Sequence, residues 1–239
     1  MRLDKFLSDA GIGSRHTARK FVRKGRVTLD SEVCIDEALQ IDPRKAVIAV
    51  DGKVIPYTPH FVLLLNKPKQ YLCSTVDEKY PSVLNLLDPL YRKRACIVGR
   101  LDVDTTGLLF LTDDGKLGNH IIHPKFGLEK EYEAELDGEL TDEILNAVLN
   151  EGADIDGEII KPKSVVRVSE KTARVVVKEG RYHEIKRLFL AHGREVVNLK
   201  RVRIGDFTLP KDLEEGKFRV LSDEETARLR LEAHMKKDD

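Results

Sequence analysis

Gly99-Arg100-Leu101-Asp102-Val103-Asp104-Thr105-Thr106-Gly107-Leu108-Leu109-Phe110-Leu111-Thr112-Asp113-Asp114-Gly115 is the stretch on which the fold and chemistry of this chain turn. A short apolar strand, Ile97-Val98, leads into it, and Gly99 makes a turn. The loop that follows carries Arg100, Asp102, Asp104 and two threonines. Gly107 opens a second strand, Leu108–Leu111, which Asp113-Asp114-Gly115 closes with turn chemistry. A carboxylate beside an arginine, on a loop held between two buried strands, sits where catalytic groups often sit. Local physics equally allows a hairpin with a solvated polar loop, because Asp and Gly are what turns want.

Upstream, Phe61–Leu65 is a continuous apolar run that reads as a strand buried on both faces, ended by Asn66-Lys67-Pro68. Pro81, Val83 and Leu86 suggest a short helical turn ended by Leu87-Asp88-Pro89. Downstream, Leu117, Ile121 and Ile122 predict a helix that starts near Asp113 or Asp114. His120 and His123 are three apart on it and read as polar helix surface, since no third metal ligand accompanies them. Lys130–Leu136 alternates polar and apolar, a half-buried strand with Tyr132, Ala134 and Leu136 on one face. On this pattern alone Tyr132 is a core aromatic. Ile144, Val148 and Leu149 predict an amphipathic helix stopped near Gly152. Strands are expected at Val165–Val168 and Ala173–Val177. In Glu179-Gly180-Arg181-Tyr182-His183-Glu184-Ile185-Lys186-Arg187-Leu188-Phe189, Gly180 breaks the strand. The helix after it buries Ile185, Leu188 and Phe189 and stops at His192-Gly193. Val196, Val197 and Leu199 form another strand, and the residues after about Thr226 read as a charged, fraying helical tail.

The beginning of the chain has a different character. Leu3, Phe6, Leu7 and Ala10 lie at helical spacing before Gly11, and Ser14 reads as the N-cap of a second helix with Ala18, Phe21 and Val22 on its apolar face. Val27, Leu29 and Val33 are strand-like around Asp30-Ser31, and Ile48, Val50 and Val54 flank Asp51-Gly52, a hairpin signal. Ile55-Pro56-Tyr57-Thr58-Pro59-His60 reads as a linker, since two prolines in four residues resist helix and sheet interior alike. The expected domains are therefore 1–57 and 58–239.

The 239 residues are ample for such a pair, and the 41 basic and 41 acidic side chains leave no net charge. The distribution is uneven: residues 1–28 hold eight basic side chains (Arg2, Lys5, Arg15, Arg19, Lys20, Arg23, Lys24, Arg26) against Asp4 and Asp9. A second basic block runs through Lys186, Arg187, Arg194, Lys200, Arg201 and Arg203. No apolar run reaches membrane-span length, and no signal-peptide apolar region opens the chain. Cys34, Cys73 and Cys96 are odd in number and lack metal-ligand spacing, which suits a reducing cytoplasm.

The central stretch resembles the catalytic motif of pseudouridine synthases, in which Gly-Arg-Leu-Asp is followed by Thr-x-Gly-Leu-Leu and an Asp-Gly turn. The resemblance covers nearly the whole chain and is nearest to the branch that modifies a uridine of small-subunit (16S) ribosomal RNA. "RLDKFL", "SR" and "GRVTL" in the first module resemble the S4 RNA-binding domain. The implied fold class is α+β: a small S4-like domain followed by a synthase domain built on a mixed, largely antiparallel sheet with flanking helices. The resemblance implies Asp102 as the catalytic carboxylate, Lys186 as its basic partner, and Tyr132, within a Lys-x-Tyr motif with Lys130, as the aromatic that stacks on the target base. It implies that Arg100 enters the space a flipped base vacates. Arg15, Arg19, Lys20, Arg23, Arg26, Lys67 and Arg181 are expected on RNA. The isomerisation adds and removes nothing, so no cofactor and no metal is expected. Gln70 stands where the family usually has glycine, two residues after Pro68, so the backbone turn there is not carried over. The expected partner is 16S rRNA or a small-subunit assembly intermediate, the expected state a monomer. A large-subunit (23S) enzyme and a non-catalytic RNA-binding assembly factor are the alternatives. Tyr182-His183 and Lys186 fit the small-subunit branch better than the large-subunit one.

Overall fold

The computed structural model describes residues 1–56, 60–123, 126 and 128–235, in two compact units, Met1–His60 and Phe61–Asp239. Of the linker expected at 55–60, residues 57–59 lie outside the described residues.

The first unit packs α1 (Leu3–Asp9) and α2 (Arg15–Arg23) on an antiparallel sheet of β1 (Val27–Leu29), β2 (Glu32–Val33), β3 (Ile48–Val50) and β4 (Lys53–Val54), in the order β2-β1-β3-β4. Leu3, Phe6, Leu7, Ala18, Val22, Val27 and Ile48 form its core. α2 begins where Ser14 Oγ accepts the Thr17 amide at 3.2 Å, filling one of the donors a helix start leaves open. Asp30-Ser31 and Asp51-Gly52 join their strands with both residues of each pair at positive φ, the conformation that matches strand twist in two-residue hairpins.

The second unit is organised on one sheet in the order β11-β12-β8-β13-β7-β5-β15, with β14 added to β13 and β6 to β7. Its elements in chain order begin with β5 (Val62–Lys67), a 3-10 turn (Val83–Leu86), α3 (Pro89–Arg92), β6 (Cys96–Val98), β7 (Thr106–Thr112) and α4 (Gly115–Ile122). β8 (Lys130–Leu136), α5 (Asp142–Asn150), the hairpin β9 (Ala153–Ile155) and β10 (Glu158–Ile160), β11 (Ser164–Arg167) and β12 (Thr172–Val177) follow. α6 (Glu184–Leu190), β13 (Val196–Ile204), β14 (Phe207–Thr208), β15 (Phe218–Val220) and α7 (Asp223–Glu232) complete it. The β13–β7 pair is parallel and the other described pairs of this sheet are antiparallel, so the mixed, largely antiparallel class holds.

Alternation along the central strands buries both faces. Leu63, Leu65, Leu109 and Leu111 point with Tyr132, Ala134 and Leu199 into a core that α5 and α6 complete through Val148, Ile185, Leu188 and Phe189. Val62, Leu64, Leu108 and Phe110 point the other way, under Leu117 and Ile121 of α4 and Leu229 of α7.

Two expectations need correction here. β5 does not end before Asn66 but runs through Lys67, because the Asn66 amide donates to the Lys217 carbonyl and its side-chain Nδ2 to the Leu213 carbonyl at 2.7 Å. The C-terminal segment does not fray as far as residue 235. Leu229, Ala233 and Met235 are buried in the second core, and α7 starts from a capping box between Ser222 and Glu225. The helix itself is as expected; the error is in the fraying, because the burial of Leu229, Ala233 and Met235 against the sheet does not show in a charged composition.

Candidate active site

The loop 99–105 between β6 and β7 is held from beneath. Lys67 is fully buried, and its ammonium donates to the carbonyls of Asp102 at 3.0 Å, Thr105 at 2.9 Å and Pro68 at 3.1 Å. Lys67 is therefore not on an RNA-facing surface as expected; β5 runs on through Lys67, whose side chain is fully buried. Burial lowers its pKa, with Asp102 and Asp104 opposing that shift. Leu101 donates its amide to the Cys73 thiol at 3.3 Å, and Gln70 donates its amide to the Val103 carbonyl at 2.8 Å. Gln70 does this at φ +64°, so the turn is made without glycine, in a backbone region uncommon for other residues. At the far end of the loop Gly107 has φ +103°, and a Cβ there would sit 2.2 Å from the Arg201 carbonyl oxygen. Only glycine permits β13 to run this close alongside β7.

Asp102 projects from this scaffold, its side chain 28 % exposed. Two cationic or ionisable groups approach it: Lys186 Nζ at 3.7 Å from Oδ2 and His183 Nε2 at 3.6 Å from Oδ1. Neither distance is a hydrogen bond. Lys186 instead donates to both carboxylate oxygens of Asp104, at 2.7 and 2.8 Å. This corrects the simple Asp102–Lys186 pair: the lysine bridges two carboxylates and binds the more exposed one directly. Burial raises the Asp104 carboxyl, but the Lys186 hydrogen bond and charge outweigh it, and the net direction is down. His183 reaches Asp102 because it begins α6 in the left-handed conformation, φ +53°.

Tyr132 lies on β8 opposite Arg201 of β13 and is 7 % exposed. Arg201 is buried, donates through Nε to the Leu108 carbonyl at 2.7 Å, and has Nη1 3.4 Å from the Tyr132 hydroxyl. Its Nη2 is buried without a partner among the described residues, as is the hydroxyl of Thr105. By sequence Arg201 belongs to a basic block; its spacing of two from Leu199 on a strand is the signal that it faces inward.

Asp102, Tyr132, Arg100 and Arg181 line one cleft of about 440 Å³, joined there by Lys130, Tyr182, His183 and Arg201. Lys186 is not part of the lining; it reaches Asp102 from the side. Arg181 pairs with Glu158 and Glu179 at the rim. Burial pushes the Lys130 ammonium down to about 8 and the Glu184 carboxyl up; Lys130 donates to the carbonyls of Leu128 and Lys178.

The basic residues of the first unit are less free than their sequence suggests. Asp4 is fully buried and accepts from Arg2, Arg15 and Arg19; these hydrogen bonds, Arg2's foremost, hold its carboxyl well below the usual range. Arg23 pairs with Glu37, and Arg26 pairs with Asp51 while stacking on Phe21. Lys20 has no ion pair among the described residues. The five guanidinium and ammonium groups expected on RNA thus divide into one free lysine and four arginines tethered to acids, with those arginine side chains still 40–66 % exposed.

The family described as RNA pseudouridylate synthase matches residues 61–191, and the S4 domain matches residues 1–45. The chain is 38 % identical over 231 residues to a ribosomal small subunit pseudouridine synthase A of Salmonella typhimurium, covering 95 % of this chain and 99 % of that one. It is 37 % identical over 243 residues to a putative chloroplastic ribosomal large subunit pseudouridine synthase of Arabidopsis thaliana, covering 94 % of this chain and 59 % of that one. A crystal structure of a pseudouridylate synthase superposes with a TM-score of 0.67 at 34 % identity, covering 96 % of this chain and 99 % of the other.

Proposed function

The chain belongs to the RNA pseudouridylate synthase family, with an S4 domain ahead of that unit, and from this premise we propose that it isomerises one uridine of small-subunit (16S) ribosomal RNA to pseudouridine. The observation that carries the proposal is the single cleft in which the Asp102 carboxylate and the Tyr132 ring share a lining, with Lys186 and His183 within 4 Å of the carboxylate.

In this reading RNA is anchored by residues 1–57 and the chemistry belongs to 58–239. The reaction breaks the N1–C1′ bond, turns the uracil, and joins C5 to C1′. A base inside a stacked helix cannot enter the cleft, so the uridine is flipped out at a cost of about a few kcal/mol. Arg100, exposed at the start of the loop, enters the space it leaves. Asp102 is the ionised carboxylate beside the sugar, where a developing positive centre gains from it as in glycoside cleavage. It acts by attack on C1′, attack on the base, or removal of the 2′ proton. Lys186 places a cation 3.7 Å from Oδ2, and His183 Nε2 lies 3.6 Å from Oδ1. Tyr132 packs on the detached uracil, which must stay in place between bond cleavage and bond formation, and the Tyr132 hydroxyl is positioned by Arg201 for the proton that leaves C5. The site acts on 16S rRNA or a small-subunit assembly intermediate, in the cytoplasm and as a monomer; among the described residues no helix is long and apolar enough to cross a membrane.

The Arabidopsis relative keeps a large-subunit substrate as the second reading. Tyr182-His183 and Lys186 support the small-subunit one. Chemical mapping of pseudouridine in 16S and 23S rRNA from cells with and without this gene tests both. One missing pseudouridine in 16S rRNA is the expected result. A missing site in 23S rRNA selects the second reading, and an unchanged map in both rRNAs leaves only an RNA-binding protein.

A further inference from the structure

In the segment Gly180–His183 the chemistry above uses His183 beside Asp102 and leaves Tyr182 without a task. Tyr182 is 68 % exposed although it sits on the lining of the cleft. Its ring lies on the imidazole of His183, centroids 3.8 Å apart and planes 19° from parallel. His183 holds that position in a left-handed backbone conformation, a local strain that a non-glycine residue keeps only when its surroundings enforce it. The outcome is a two-ring stack that starts beside Asp102, where His183 Nε2 is 3.6 Å from Oδ1, and ends in an open tyrosine face at the rim. Burial cannot explain an aromatic left in water at this position.

We infer that Tyr182, backed by His183, is a stacking platform for the base next to the flipped uridine, and that it contributes to choosing the RNA segment modified. The inference rests on the proposed RNA substrate and names a contact within it. Flipping one nucleotide unstacks its neighbour, and that neighbour has a bare face to satisfy. Single-stranded bases are commonly held by stacking on aromatic side chains, with a tolerance for base identity because every base offers a π-face. A cation is close by in Arg181, tied to Glu158 and Glu179 at the same rim, so the backbone of the flanking nucleotide meets a fixed guanidinium. Tyr132 and Tyr182 thus have separate tasks: the buried ring faces the base being isomerised, and the exposed ring faces its neighbour.

The test uses the full chain and a synthetic RNA hairpin around the mapped uridine. The hairpin is made intact and with an abasic nucleotide on the 5′ or the 3′ side of that uridine. Tyr182→Ala is expected to raise KM on the intact hairpin roughly 5- to 150-fold, the range that removal of a stacking aromatic produces. Its kcat should change little, and Tyr182→Phe should restore KM because the ring, not the hydroxyl, makes the contact. On one of the two abasic hairpins the wild-type and Tyr182→Ala proteins should have the same KM. Equal KM for both proteins on the intact hairpin overturns the inference, as does a KM difference that survives on both abasic hairpins. A wild-type protein that forms no pseudouridine in any rRNA would instead remove the functional reading on which this one stands. Tyr182 is exposed, so neither substitution threatens the fold.

Discussion

Asp102, Asp104 and Lys186 form an ion cluster of fixed order, with one ammonium between two carboxylates and the hydrogen bonds on the outer one. The outer carboxylate holds the lysine near the inner one without occupying the inner oxygens, which leaves Asp102 open toward the cleft. Asp102→Asn is expected to abolish pseudouridine formation while RNA affinity stays within about twofold, because the change removes a charge and keeps the shape; a filter-binding assay beside a tritium-release assay reads both. Lys186→Met should lower kcat by about a hundredfold or more, since it strips a cation from a partly buried carboxylate. Asp104→Ala should cost far less, because Lys186 then keeps Asp102 as its remaining carboxylate. Lys67→Met makes a different prediction. It leaves the Asp102, Thr105 and Pro68 carbonyls without their donor at a cost of about 1–3 kcal/mol per buried unpaired group, read in urea unfolding. It should also lower kcat through a looser loop. The salt dependence of RNA binding should not move, as it would if Lys67 touched phosphate.

The same loop shows why elements are easier to read from sequence than the way they meet. β7 and its turns announce themselves through residue type, as do the Ser14 cap, the Asp51-Gly52 hairpin and the α6 helix after Gly180. Asp102, Tyr132 and Lys186 each stand in a local motif. What those motifs do not contain is the third dimension. The burial of Lys67, the competition of Asp104 for Lys186 and the inward face of Arg201 all depend on which strand lies beside which, and β13 comes far after β7 in the chain. Gly107 is the clearest case: by sequence it simply opens a strand, yet its constraint is the Arg201 backbone 2.2 Å from where a Cβ would be. Gly107→Ala is expected to break the β7–β13 pairing and to destabilise the unit by more than about 3 kcal/mol, or to prevent folding, as seen by circular dichroism melting. At the other end of the unit α7 makes a pH prediction. Glu225 pairs with Arg219 at 2.7 and 2.8 Å, and that hydrogen bond first, with the Ser222 amide, holds its carboxyl down to about 2. A carboxyl near its ordinary value of 4.5 in the unfolded chain binds protons first there. The stability it contributes is therefore full above about pH 4.5 and falls as pH drops toward 2. Glu225→Gln should flatten unfolding midpoints across that window.

At the scale of the whole molecule the zero net charge conceals a division of labour by sign. The first unit concentrates arginines, yet Asp4, Glu37 and Asp51 already neutralise part of them. Three guanidinium groups on one buried carboxylate still leave a local surplus, and in the proposed reading side chains pre-set by Asp4 are spared some ordering cost on a phosphate. Replacing Arg15, Arg19 and Lys20 together by glutamine should weaken RNA binding at low salt. It should also reduce the slope of log K against log salt by roughly 0.7–0.9 for each phosphate no longer neutralised, measured by titration at several salt concentrations. The sheet order has a further consequence, one of timing. β13 is the strand between β8 and β7, yet it lies late in the chain, at Val196–Ile204. While the ribosome is still making the chain, the loop bearing Asp102 and the strand bearing Tyr132 have no common neighbour to hold them in register. The catalytic half is therefore assembled as an insertion rather than a zippering. Nascent chains that stop short of residue 204 are expected to lack a competent cleft, and the rate of full-length refolding should follow the docking of that one late segment.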